Sequence, residues 1–317
     1  MSAVRQILFV LGLGTFWGAS PALNKALGLA GVPVTHILVA SGLGVGPGLM
    51  LLQWLSGGRL RVSWPVVVYG LGCGVLINIP WTISLAAIRH MPVALSAVMV
   101  STTPLWTYAF ALSLGRDTFS PLRLLALVTG LASSAAVILT RPGASLAAFD
   151  IWVLATLSLP LLYAAYNVFT SAAWPKGMDP LTAGVAESFA AGLLGLPFLL
   201  YFNPPTGQAF DVPTLGYLLL LAVTLMWVLE RVCYFRMIER FGPVTTVQAV
   251  YVSTPASVLL GLLMFRESAD AWLWLSLALL MLALWLNNRA LSNAKQAEHQ
   301  PLQQQHAQPV AAINDGQ

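Results

Sequence analysis

The chain has 317 residues, of which 58% are hydrophobic and only 8% are charged, and its formal net charge is +4. About a quarter of the residues in a soluble globular domain are charged, so this composition excludes a soluble domain. The basic residues are spread over several loops and the termini, which argues against a nucleic-acid partner. We therefore expect an all-α polytopic membrane protein that lies in the lipid bilayer.

Uncharged apolar runs of roughly 20 residues recur along the chain, and each is long enough for a helix to cross the hydrocarbon core. The longest such stretch, from Ala26 to Gly58, needs a turn, which Gly31-Val32-Pro33 supplies. Ten spans are predicted, at residues 6–27, 34–55, 65–88, 92–114, 122–140, 151–173, 180–202, 214–235, 243–264 and 270–286.

The Lys and Arg residues are unevenly divided between the two sides of this arrangement. Eleven of the 15 fall on the side that holds the N-terminus. Cytoplasmic loops carry the excess of positive charge in membrane proteins, so the N-terminus is predicted to be cytoplasmic. An even number of spans places the C-terminus on the same side.

Two segments, residues 89–117 and 240–268, are copies of one unit that align without a gap. The alignment sets Arg89 on Arg240, Pro92 on Pro243, Thr103 on Thr254, and Pro104 on Pro255. Each half then holds five spans, an odd number, so the two repeats must be inverted relative to each other in the membrane. The repeats are predicted at residues 1–141 and 151–289, joined by an outer linker.

The chain becomes polar from Asn287 onward, and seven glutamines lie between Gln296 and Gln317. Such a composition cannot bury enough apolar surface to fold alone. Residues 290–317 are therefore predicted to form a disordered cytoplasmic tail.

Four features follow one another along the chain. They are Phe16-Trp17-Gly18, the segment from Leu85 to Pro92, the embedded prolines Pro104 and Pro255, and Phe265-Arg266-Glu267. Their order and spacing resemble the EamA-type branch of the drug/metabolite transporter superfamily over nearly the whole chain. The resemblance implies ten helices in two inverted five-helix repeats, and efflux through a multi-pass protein of the bacterial inner membrane. One departure is Arg116, where the family usually has Glu.

The two embedded prolines are predicted to break the fourth and ninth spans at equivalent places. A proline inside a helix leaves a carbonyl one turn earlier without its partner, here at Val100 and Tyr251. In hydrocarbon that carbonyl needs a neighbouring helix, water or a ligand. We expect the two breaks and the hydroxyls beside them to frame a substrate cavity. Local bonding by those hydroxyls is the alternative.

Aromatic and amide side chains on the spans are the other candidates for substrate contact. In the family that the chain resembles, the first, third and fourth helices and their repeats line the cavity. The residues predicted to bind substrate are Trp17, Asn78, Trp81, Thr103, Pro104, Tyr108, Tyr163, Asn167, Gln248, Tyr251 and Pro255. For the amides, hydrogen bonding between helices is the alternative.

Glu187 lies inside the seventh span, roughly 10 Å from its cytoplasmic end at 1.5 Å per residue. An ionisable group at that depth suggests proton or charge coupling, or pairing with a cationic substrate. An ion pair with Arg231 or Arg236 is the alternative. Glu230 is predicted to be shallower and interfacial, and Lys25 is a weaker candidate for a gate. The glycine-rich stretches 42–48 and 70–74 are predicted to serve helix packing.

These observations predict a secondary transporter that exports small amphipathic metabolites, amino acids or drugs, by alternating access. A nucleotide-sugar or sugar-phosphate exchanger is the alternative among related folds, and a passive channel or scaffold is a third. An intramembrane enzyme would need a clustered nucleophile and base or a metal site, and neither pattern occurs in the sequence. We expect no enzyme activity, no cofactor and no bound metal. The protein is expected to act as a monomer or a homodimer.

Overall fold

In a computed structural model, the structure describes residues 3–115, 118–139, 151–202, 212–247, 249–267 and 271–306. These residues form helices joined by turns, with no strand among them. The helices are α1 (Ala3–Leu29), α2 (Val34–Val39), α3 (Val45–Leu55), α4 (Trp64–Ala87), α5 (Val93–Val100), α6 (Thr103–Ser113), α7 (Pro121–Leu139), α8 (Ile151–Ala172), α9 (Pro180–Phe202), α10 (Thr214–Val247), α11 (Val250–Phe265) and α12 (Ala271–His306). A π-helical turn, Ala40–Gly44, joins α2 to α3.

The described part contains six helical stretches that are long and apolar enough to cross a membrane. They are Val34–Leu55, Trp64–Ala87, Val93–Ser113, Ile151–Ala172, Thr214–Arg240 and Ala271–Ala290. Two shorter apolar helices lie at Pro121–Ser133 and Val252–Phe265. The protein is therefore an all-helical, multi-pass membrane protein. Each of the ten predicted spans falls on one or two of the helices, and the crossing of the bilayer by all ten stays a prediction.

Two helices are longer than predicted. Helix α10 continues past residue 235 to Val247, through the segment that was expected to be an inner loop. Helix α12 continues to His306, although a disordered tail was predicted from residue 290. The added residues of α12 include Ala, Gln, Lys and Glu, which favour helices, and extending an existing helix needs no new nucleus. The predicted linker and residues 307–317 lie outside the described residues.

The helices of the two halves of the chain pack against each other. Helix α1 contacts α10 and α11, α4 contacts α8 and α9, and α8 contacts α5 and α6. Helix α7 packs along α12, and α5 packs on α11. The interface between the halves therefore extends through the bundle.

Glycines allow the closest of these contacts. A Cβ atom built at Gly42 would lie 2.3 Å from the backbone nitrogen of Gly192, and one built at Gly70 would lie 2.7 Å from the carbonyl oxygen of Ala186. Here α9 approaches both the π-helical turn and α4 at backbone distance. The prediction that these glycine-rich stretches serve packing is confirmed. The predicted turn at Gly31 is also present, with a φ of 81° that suits glycine.

Candidate functional site

A cavity of about 210 Å³ lies between the two halves of the chain. Aromatic rings and small hydroxyl side chains make up most of its wall. The first half contributes Phe16, Trp17, Ser20, Pro21, Asn24, Ser41, Ile77, Trp81, Ser84, Ser96, Ala97, Val100, Ser101 and Thr103, and the second half contributes Tyr163, Tyr166, Asn167, Trp227, Glu230, Arg231, Tyr234, Val250, Ser253, Thr254 and Ser257. Both halves of the chain therefore build one site.

The structure brings together five of the eleven residues that were predicted to bind substrate. Trp17, Trp81, Thr103, Tyr163 and Asn167 all line the cavity. Their contact with substrate stays a prediction. Gln248 lies outside the described residues, as does the side chain of Tyr251.

Four predicted residues do not line the cavity: Asn78, Pro104, Tyr108 and Pro255. The amide of Asn78 donates to the carbonyl oxygen of Ala191 at 2.7 Å and so joins α4 to α9. Asn78 therefore makes a hydrogen bond between helices, which was the alternative to substrate contact. The hydroxyl of Tyr108 accepts the Ser120 N–H at 2.9 Å, which fixes the turn before α7.

The two prolines break their spans differently, so the predicted equivalence of the breaks is wrong. In the first half α5 ends at Val100 and α6 begins at Thr103, which puts Pro104 in the first turn of a helix, where its missing N–H is not needed. In the second half the break precedes Val250, and Pro255 lies inside α11. The Thr103 hydroxyl donates to the Val100 carbonyl at 2.5 Å. This is the local hydrogen bond that was the alternative to a ligand at that carbonyl.

The hydroxyl groups beside the prolines nevertheless meet across the interface. The side chains of Ser101 on α5 and Thr254 on α11 are hydrogen-bonded to each other. Ser257, one turn further along α11, donates to the Gly18 carbonyl of α1 at 2.7 Å. The two halves of the chain are therefore joined by polar contacts at the cavity wall.

Three charged side chains form a network at one side of the cavity. Arg231 Nη1 lies 3.3 Å from Glu187 Oε1, and Arg231 Nε lies 3.8 Å from Glu230 Oε2. The Tyr166 hydroxyl donates to Glu187 Oε2 at 2.5 Å, and the Trp17 indole donates to Glu230 Oε1 at 2.8 Å. Glu187 is 1% exposed. The ion pair with Arg231, the alternative for Glu187, is present.

Glu230 lines the cavity and accepts the Trp17 indole N–H. Its interfacial depth in the membrane stays a prediction. The prediction ended the eighth span at residue 235, whereas α10 continues to Val247 and leaves Glu230 near the middle of the helix. A sequence signal was available, since Glu230 and Arg231 are the only charged residues between Thr214 and Phe235. A charged pair inside an otherwise apolar span marks a functional site by default.

A second ion pair closes the opposite end of the interface. Lys25 Nζ lies 2.7 Å from Glu267 Oε1. Glu267 also accepts the backbone N–H groups of Val93 at 2.8 Å and Ala94 at 3.1 Å, which are free donors at the start of α5. One carboxylate thus links α1 and the end of α11 to the start of α5.

Residues 150–289 match the sequence profile described as the EamA-like transporter family. The second half of the chain therefore resembles this family in sequence. A solved crystal structure, one of 17 matching chains, is similar to this chain with a TM-score of 0.63 and 18% identity. The alignment covers 90% of this chain and 98% of the other, so the two share a fold. Comparison with curated protein sequences finds no significant match.

The EamA match over residues 150–289 indicates a membrane transporter of the drug/metabolite transporter type. Among its described residues, no group of three or more His, Cys, Asp or Glu side chains is arranged to hold a metal ion. The cavity offers hydrogen-bonding groups, aromatic faces and the Glu187–Arg231–Glu230 network.

Proposed function

We propose that the chain is a secondary transporter that exports small amphipathic metabolites, such as amino acids or related compounds or drugs, across the inner membrane by alternating access. The observation that carries this proposal is the cavity between the two halves, which is lined by both of them. A site at the junction of two repeats can open to either side of the membrane when one bundle rocks against the other.

The helix contacts support ten spans in two inverted repeats. The cytoplasmic side of both termini is proposed from the placement of Lys and Arg. The contact of α1 with α11 has its counterpart in that of α8 with α5 and α6. The contact of α4 with α8 corresponds to that of α10 with α1, and the contact of α4 with α9 to that of α10 with α3. Helices α7 and α12, which pack on each other, are themselves equivalent. Exchanging the two repeats therefore reproduces the pattern.

The Lys25–Glu267 pair supports the rocking motion, because it is a contact that one state can make and the other can break. Its side chains are 19% and 9% exposed, so the pair is partly shielded from water. It joins α1 to the end of α11 at the end of the bundle that is predicted to face outward. Separation of these two side chains would open the outer side of the cavity.

The cavity wall favours an amphipathic substrate over a phosphorylated one. Recognition of phosphate uses Arg or Lys side chains that are free to form bidentate hydrogen bonds. The cation among the described lining residues is Arg231, and it lies between Glu187 and Glu230. The nucleotide-sugar or sugar-phosphate alternative therefore has less support than a substrate with an aromatic or apolar body.

Counterflow into proteoliposomes tests the proposal. Vesicles holding purified protein are preloaded with an unlabelled aromatic amino acid, an aromatic amine or a neutral aromatic alcohol, and entry of the same labelled compound is followed. We expect saturable counterflow for at least one of them. Trp81→Leu should reduce it several-fold, because Trp81 lines the cavity.

Trp54→Leu is the matched control, since Trp54 is 71% exposed at the end of α3. Its counterflow should equal that of the unmodified protein. Saturable counterflow that responds equally to both substitutions would move the site away from this cavity. The absence of saturable counterflow for every compound would contradict the proposed substrate class.

A further inference from the structure

The charges around the cavity do not balance. Glu187 and Glu230 together carry two negative charges when ionised, and Arg231 supplies one positive charge between them. Helix α1 also lines the cavity. Among its described side chains the cation is Lys25, which pairs with Glu267 and not with this network. The tyrosines that face this network from α8 and α10, Tyr163, Tyr166 and Tyr234, add only hydroxyl groups. With both carboxylates ionised, these three side chains carry an excess of one negative charge.

The excess lies on Glu230. Arg231 is closer to Glu187, at 3.3 Å, than to Glu230, at 3.8 Å, and Glu187 also receives the Tyr166 hydroxyl. The close hydrogen bond at Glu230 comes from the neutral indole of Trp17. Glu230 is 7% exposed, and a buried carboxylate with a weak ionic partner is stabilised when a second cation joins it.

The surfaces beside Glu230 suit an organic cation. The rings of Trp17, Tyr163, Trp227 and Tyr234 line the same cavity. The negative face of an aromatic ring attracts an ammonium group, and the attraction is strongest where water is excluded. An alkali cation would gain little from such rings, whereas an amine with an apolar body would contact both the rings and the carboxylate.

A second observation is that three buried polar groups of cavity-lining residues lack hydrogen-bond partners in the described part of the chain. The Oδ1 atom of Asn24 and the Nε1 atoms of Trp81 and Trp227 are buried and have no hydrogen-bond partner in the described part of the chain. All three residues line the cavity, and Asn24 and Trp227 are each only 5% exposed. Buried polar groups nearly always have a partner, so these groups point to a ligand.

We propose that the cavity binds a monocationic amine with an aromatic or apolar body, its ammonium group at Glu230. This inference rests on the proposed transport function and specifies its substrate class. The ammonium group completes the charge balance of the Glu187–Arg231–Glu230 network. The body of the ligand lies against the aromatic rings, within reach of the unpartnered indole N–H groups and the Asn24 amide.

Equilibrium binding to the purified full chain tests the inference with three probes of nearly the same shape. They are 2-phenylethylamine, which is cationic at pH 8, neutral 2-phenylethanol, and anionic 3-phenylpropionate. Binding of the labelled amine is measured by scintillation proximity, and the other two probes are added as competitors. We expect the amine to bind at least about tenfold more tightly than the alcohol, and the carboxylate to bind most weakly.

The decisive variant is Glu230→Gln, which keeps an acceptor for the Trp17 indole and leaves the Glu187–Arg231 pair intact. Its affinities are measured with labelled amine and labelled alcohol. The ratio of the affinity for the amine to that for the alcohol should fall to about one. Glu230→Asp keeps the charge and should retain a preference for the amine. Glu239→Gln, on the same helix but outside the cavity lining, is the matched control and should not change the ratio.

A preference for the amine that survives in Glu230→Gln would overturn the inference, as would an unmodified protein that binds the alcohol or the carboxylate more tightly. If Glu230→Gln does not fold, loss of the preference in Glu230→Asp would overturn it as well. Saturable counterflow of neutral or zwitterionic compounds without any binding of the amine would overturn the inference and leave the proposed transport function standing. Binding of the amine without counterflow of any compound would support the inference about the ligand and contradict the proposed transport function.

Discussion

Replacing Gly42 by alanine tests whether the close contact between the π-helical turn and α9 holds the two halves together. The added Cβ would lie 2.3 Å from the backbone nitrogen of Gly192, 2.4 Å from its Cα and 2.8 Å from the Ser188 carbonyl oxygen. Ordinary van der Waals contact begins at 3.4 Å, so the two segments must separate by about 1 Å. All three obstructing atoms are backbone atoms, which cannot rotate away as a side chain does.

Overpacking of a filled interior costs about 1–3 kcal/mol, and the backbone contact places this variant at the upper end of that range. The same separation moves α9, which carries Glu187, so the Glu187–Arg231 pair should weaken too. We expect a lower midpoint of thermal unfolding in detergent, followed by circular dichroism, and weaker binding of 2-phenylethylamine.

Gly12→Ala is the matched control for this experiment. Gly12 lies inside α1, and a Cβ built there meets nothing within 4 Å. Alanine has a higher helix propensity than glycine by about 1 kcal/mol, so this variant should be equally or slightly more stable than the unmodified protein. The reasoning would be refuted if Gly42→Ala left the midpoint unchanged, or if both substitutions lowered it equally.

Two further predictions concern buried polar contacts. Arg231→Met leaves two carboxylates without their cation and should destabilise the protein by about 3–5 kcal/mol, measured as loss of folded protein on size exclusion. Adding Glu187→Gln should restore much of the folded protein. No restoration would contradict the charge-balance argument. Asn78→Ala removes the bond to the Ala191 carbonyl and should cost about 0.6 kcal/mol in thermal unfolding, with counterflow unchanged. A large loss of counterflow in folded Asn78→Ala would return Asn78 to the substrate site.

The sequence predicted the helices better than their ends. Long uncharged runs identify spans because a bilayer demands length and apolarity. The end of α10 was misplaced because the charged residues after 235 were interpreted as a loop, whereas the helix continues to Val247. That boundary placed Glu230 near the end of the predicted span, whereas it lies near the middle of α10.

The sequence could not predict which residues on a span face the cavity. In a membrane bundle the lipid-facing side and the packed side are both apolar, so periodicity does not distinguish them. Trp81 and Asn78 are both residues of α4 whose side chains carry an N–H donor. Trp81 lines the cavity, whereas Asn78 is hydrogen-bonded to α9. The proline breaks depended in the same way on hydroxyl partners that only the packed helices reveal.

The sequence by itself determined the membrane class, the internal repeat and the glycine contacts, because these depend on composition and spacing along one chain. The tertiary structure alone decided that Glu187, Arg231 and Glu230 form one network beside Trp17. Trp17 and Glu230 are 213 positions apart, and their contact depends on the relative rotation of α1 and α10. Side-chain packing between helices sets that rotation, and the sequence of a single apolar helix does not predict it.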